Sequence, residues 1–130
     1  MIKIDHVGIA VPRLAEALKA YRALGFEVEA THEVPSEGVR TAFLPIGESH
    51  LELLEPTDST SVIAKFLETR KGLHHVCVLV ADIEKALGDL KARGVVLIDQ
   101  KPRPGAGGCR VGFVHPKAAC GVLLELKQKA

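Results

Sequence analysis

The sequence predicts an α+β fold of two tandem βαβββ modules, eight strands in all. The first observation behind this is an internal repeat, the signal that most constrains an architecture. IDHVGIAVPRLAEALKAYRALGFEV, from Ile4, aligns without a gap on LHHVCVLVADIEKALGDLKARGVVL, from Leu73, at an offset of 69. His6 falls on His75, Val7 on Val76, Val11 on Val80, Leu18 on Leu87 and Gly25 on Gly94. Arg40 and Phe43 then fall on Arg110 and Phe113 at an offset of 70, and Glu52 on Glu125 at 73. The second observation is the change of hydrophobic period within each half, from two to 3.6 and back. The third is length: 130 residues, 47% of them hydrophobic, suit one compact domain or two small halves.

Taken in order, the first strand alternates, with Asp5, Val7, Ile9 and Val11 on one face and Ile4, His6, Gly8 and Ala10 on the other. The valine-rich face is the one expected to pack on a helix. That helix is predicted over about 13–24, where Leu14, Leu18 and Tyr21 recur at helical spacing beside Ala17, and Gly25 supplies a left-handed C-cap. Strands are predicted near 26–33, 38–46 and 49–55. A connector over 57–71 carries a short helix, capped by Ser59 or Ser61, with Val62, Ile63, Phe66 and Leu67 on one face. The second half repeats the plan. Asp82 caps a helix with Ile83, Ala86, Leu87 and Leu90 as its stripe, and Gly94 ends it. Strands follow near 95–99, 109–115 and 120–127. The segment 101–108, KPRPGAGG, reads as a loop and lacks the strand–Gly-loop–helix order of a phosphate-binding motif. The organisation expected is therefore module 1 over 1–56, the connector over 57–71 and module 2 over 72–130.

Composition excludes several function classes. Seventeen Lys and Arg against sixteen Asp and Glu leave no basic excess for a nucleic-acid groove. No apolar run is long enough to span a bilayer. The N-terminus reads as a strand rather than a signal peptide, so a cytoplasmic protein is expected. Three cysteines, Cys77, Cys109 and Cys120, with no CxxC pair, argue against a disulfide framework or zinc ribbon.

Four polar side chains stand at matched places in apolar strands. His6 and His75 point away from the face that packs on each helix. Glu52 lies between Leu51 and Leu53, and Glu125 between Leu124 and Leu126. A lone histidine in a strand is commonly a core or surface residue, and a lone glutamate an outward-facing one. A repeat-matched quartet is different. If the halves pack as pseudo-twofold copies, the four converge, and two imidazoles with two carboxylates suit one divalent first-row ion. Other histidines carry a weaker signal. His50 shares a face with Glu52 but has no repeat partner, and His115 precedes Pro116 and Lys117 at a turn.

These residues resemble the vicinal oxygen chelate superfamily, which includes glyoxalases, bleomycin resistance proteins and dioxygenases. More closely, the stretches IDHVGIAV, FLPIGESHLELLEP, DSTSVIAKFL, GLHHVCVLVADI and GGCRVGFVHPKAACGVLLEL resemble the methylmalonyl-CoA epimerase family over nearly the whole chain. The resemblance implies a cupped, mixed eight-stranded sheet around a metal site, with helices outside. It implies His6, Glu52, His75 and Glu125 as ligands to one divalent ion per chain, Co²⁺, Mn²⁺, Ni²⁺ or Zn²⁺. It also implies a homodimer, a CoA thioester substrate, and no nucleic-acid or membrane partner. Some family members carry an extra acid at a position matched here by Thr41.

The activity expected is interconversion of (R)- and (S)-methylmalonyl-CoA by metal-assisted α-proton abstraction through an enolate. Glu125 and Glu52 are the expected proton carriers. Arg40, Arg110, His115 and Lys117 are candidate substrate contacts. The alternatives are a glyoxalase I-type lyase acting on a glutathione hemithioacetal, and a non-catalytic small-molecule-binding protein of the same fold.

Overall fold

A computed structural model describes residues 1–130 and contains eight strands and three α-helices. Two compact units are present. One is His6–His74; the other is His75–Ala130 together with Met1–Asp5. No helix is long and apolar enough to cross a membrane.

The first unit is built from β1 (Lys3–Ala10), α1 (Leu14–Ala23), β2 (Ala30–Val34), β3 (Val39–Ile46), β4 (Ser49–Pro56) and α2 (Val62–Thr69). Its strands run in the order β2-β3-β4-β1. β1 lies parallel to β4, with His6 opposite His50 and Ala10 opposite Leu54. β3 is antiparallel to both β2 and β4. Alternation sends Ala42, Leu44 and Leu53 to one face, where they are buried with Val11, Leu14 and Leu18 against α1. Each leucine buried there contributes about 1.5–3 kcal/mol. The opposite face is used as well. Ala10, Val39 and Leu54 bury Ile63 of α2, with Phe66 and Leu67 beside it. The connector helix thus covers one end of the face that carries His6 and Glu52. Ser61 caps it, accepting from Ala64 N at 3.1 Å.

The second half repeats this with β5 (Gly72–Leu79), α3 (Ile83–Ala92), β6 (Arg103–Pro104), β7 (Arg110–Val114) and β8 (Leu123–Gln128), in the order β5-β8-β7-β6. β5 is parallel to β8 and β7 antiparallel to it. Val80, Ile83, Leu87, Leu97, Val114 and Leu126 form its core. Asp82 caps α3, accepting from Lys85 N at 3.1 Å.

Two segments differ from expectation, for local reasons. Pairing of β2 begins at Ala30 rather than near 26, because Phe26 N is held by Tyr21 O at the end of α1. Gly25, at φ +100°, turns the chain there, and Phe26 and Val28 pack on the α1 core. In the second half Val95 N is likewise held by Leu90 O. Leu97 then makes only a single bridge, to Val114, and the short strand β6 forms inside the stretch expected to be loop.

Candidate metal centre

In each half a pair of neighbouring parallel strands positions the paired donors. His6 is buried on β1, and Glu52 sits beside it on β4, opposite Gly8. His6 Nε2 lies 3.4 Å from Glu52 Oε2. The second half contains the equivalent pair, with His75 on β5, Glu125 on β8, and 3.3 Å between His75 Nε2 and Glu125 Oε1. Each pair is an imidazole nitrogen and a carboxylate oxygen, largely removed from water, at a spacing two donors adopt when each is about 2.0–2.2 Å from a shared cation. Nitrogen and oxygen donors of this kind suit a divalent first-row metal.

The surroundings of the two carboxylates differ. Cys77 faces Glu125 in register and is fully buried. Burial first, then the Glu125 and Asp5 charges, pushes its thiol far above the usual range, and its S–H donates to Glu125. Asp5 is itself buried and pairs with Lys127 Nζ at 3.1 Å. Beside Glu52 stands His50, whose Nε2 lies 3.8 Å from Glu52 Oε2. The His50 ring stacks on His6, with centroids 5.0 Å apart, and against Phe43 at 4.7 Å. The only sequence signal for His50 was its shared face with Glu52. Its repeat counterpart, Leu123, is apolar, so the comparison of halves passes over it.

Of the other candidates, Arg40 and Arg110 stand at equivalent places and are held in equivalent ways. Arg40 reaches Glu33 at 2.7 Å and Glu55 at 2.8 Å, and Glu55 also accepts from Leu14 N at 2.8 Å. Arg110 reaches Glu84 and Gln128, each at 3.2 Å, and Gln128 accepts from Ile83 N at 2.9 Å. Both arginines thus brace a side chain that receives the first amide of a helix. His115 caps a short 3₁₀ turn, its Nδ1 accepting from Lys117 N at 3.0 Å. It and Lys117 are exposed. Thr41 is buried.

The Glyoxalase/Bleomycin resistance protein/Dioxygenase superfamily matches residues 5–113. The paired βαβββ halves are those of a protein of this superfamily. Mouse mitochondrial methylmalonyl-CoA epimerase is 40% identical over 97% of this chain and 72% of its own length. An ethylmalonyl-CoA/methylmalonyl-CoA epimerase of Cereibacter sphaeroides is 43% identical over 97% of both chains. A solved Streptomyces coelicolor methylmalonyl-CoA epimerase variant, in complex with 2-nitronate-propionyl-CoA, is 40% identical. It superposes with a TM-score of 0.91, covering 100% of this chain and 99% of that one. This chain belongs to the methylmalonyl-CoA epimerase family.

Proposed function

We propose that the chain interconverts the (R) and (S) epimers of methylmalonyl-CoA, with His6, Glu52, His75 and Glu125 holding one divalent ion. The observation that carries this reading is the recurrence of one donor pair at repeat-equivalent positions, at 3.4 and 3.3 Å. The family relationship supplies the substrate class. The thioester of a 2-methylmalonyl group has an α-proton too weakly acidic for an ordinary carboxylate to remove unaided. A bound divalent cation supplies Lewis acidity, lowering the cost of negative charge on substrate oxygens.

The chain's own residues do the rest. Glu125, as its carboxylate, takes the α-proton from one face, leaving a planar enolate; Glu52, carrying a proton from solvent, returns one to the other, and proton exchange of both acids with solvent resets the site. The Cys77 thiol orients the Glu125 carboxylate, and burial of His6 and His75 keeps water from competing for the donors. Arg40 and Arg110 are already engaged by Glu33, Glu55, Glu84 and Gln128. Lys117 and His115, both exposed, are therefore placed ahead of Arg40 and Arg110 for contact with the CoA phosphates. Modules at 1–56 and 72–130 joined through 57–71, a homodimer and a cytoplasmic setting complete the reading. Three free thiols accord with a reducing compartment.

The 43% identity to an enzyme named for ethylmalonyl-CoA as well favours a second reading of the substrate, in which a larger 2-alkyl group is also accepted. The deciding experiment incubates the Co²⁺-loaded protein with one epimer of methylmalonyl-CoA, and separately of ethylmalonyl-CoA, in heavy water. Deuterium uptake at the α-carbon with racemisation is expected. Inactivity on both, with turnover of a glutathione hemithioacetal, would select a glyoxalase instead.

A further inference from the structure

His50 is half-buried, and its Nε2 atom is fully enclosed without a hydrogen-bond partner. Leaving such an atom unsatisfied is costly, and an orphan of this kind in a native fold requires a reason. Its position suggests one. The nitrogen lies 3.8 Å from Glu52 Oε2, the oxygen that also lies 3.4 Å from His6 Nε2. The ring is fixed from both sides. On β1, His6 is its register partner and stacks on it, with the rings inclined by 24°. On β3, Phe43 faces Glu52 in register and packs against the His50 ring.

Resting on the ligand set proposed above, we infer that His50 is a positioning residue for the metal centre. Its Nε2–H donates to the Glu52 carboxylate and so fixes which carboxylate oxygen is presented to the ion. Closing 3.8 Å to a hydrogen bond needs a movement of less than about 1 Å, well within the reach of a glutamate side chain. Outer partners of this kind orient a ligand and tune its affinity for metal. The second half solves the same problem differently. Leu123 replaces the imidazole, and the Cys77 thiol donates to Glu125. The two carboxylates are therefore steadied by donors of different chemistry.

The test titrates metal-free wild-type protein, His50→Phe and His50→Gln with Co²⁺, by calorimetry and by the visible bands of the bound ion, with His6→Ala as control. Phenylalanine keeps the stack on His6 and Phe43 but cannot donate; glutamine offers an amide N–H. His50→Phe is expected to bind Co²⁺ about 10–100-fold more weakly, with altered visible bands and an unchanged far-ultraviolet circular dichroism spectrum. His50→Gln should recover part of the affinity and, should the phenylalanine variant fail to fold, His50→Leu takes its place as the variant that cannot donate. Wild-type affinity and spectrum in the folded variants would overturn the role of His50 while leaving the ligand set standing. Failure of the wild-type protein to bind Co²⁺ would overturn the ligand set, and this inference with it.

Discussion

His75 Nε2 lies 3.3 Å from Glu125 Oε1, within 0.1 Å of the spacing between His6 Nε2 and Glu52 Oε2 at 3.4 Å. Two pairs so alike, 69 and 73 residues apart in sequence, act as one set when they share one ion. Replacing His75 by alanine should then cost the whole centre its metal, leaving Glu52 and His6 with little affinity of their own. Elemental analysis of His75→Ala after dialysis should find a small fraction of the wild-type metal content. Full retention would show that the second pair does not bind.

The proton carriers separate by isotope. Glu125→Gln should reduce α-deuterium exchange by about 10²–10⁴-fold, the usual worth of a positioned acid–base group. Glu52→Gln should leave deuterium uptake from one epimer but slow inversion. Nuclear magnetic resonance of each epimer in heavy water measures both. Equal loss of exchange and inversion in the Glu52 variant would remove its role as the second carrier.

Glu55 and Gln128 make equivalent contacts, each accepting the first amide of a helix while an arginine braces it. An amide side chain therefore suffices at this place, and Glu55→Gln should stay within about 0.5 kcal/mol of wild type, as mild polar substitutions do. Glu55→Ala should cost about 1–2 kcal/mol, since it removes a cap from α1. Urea midpoints of the two variants provide the comparison.

Two glycines should respond in opposite directions. A Cβ on Gly112 would meet Leu87 Cδ1 at 2.9 Å, whereas one on Gly88 would meet nothing within 4 Å. Gly112→Ala should destabilise by about 1–3 kcal/mol through overpacking. Gly88→Ala, inside α3, should stabilise by about 0.5–1 kcal/mol through helix propensity. Thermal unfolding of both against wild type is sufficient to check this.

Thiol chemistry reports on burial. Cys120 is exposed, whereas Cys77 and Cys109 are buried, and burial is the main cause raising the pKa of both. The folded chain should react rapidly with a disulfide reagent at Cys120 alone, and at all three cysteines once unfolded. Above the ordinary thiol range the unfolded chain loses protons that Cys77 keeps in the fold. This group's contribution to stability is therefore complete below that range and declines as pH rises through it.

Much of this was legible because the chain carries two copies of one pattern. His6 over His75 and Glu52 over Glu125 marked the two close imidazole–carboxylate pairs, and Ser61, Asp82, Gly25 and Gly94 marked helix ends by local chemistry. What the repeat could not reveal were contacts set by strand register. Arg40 looks like a free surface cation until β3 and β4 pair and place Glu55 beside it. Arg110 is hidden in the same way by its pairing with Gln128. His50 escaped for the opposite reason, because a feature present in one half has no second copy to advertise it.

The placement of α2 has a consequence for traffic. Ile63 seals the first half's sheet at Ala10 and Leu54, four residues along β1 and β4 from the His6–His50 rung. That end of the face is therefore closed by an apolar side chain, and whatever lies along it toward Ala10 and Leu54 meets Ile63 before solvent.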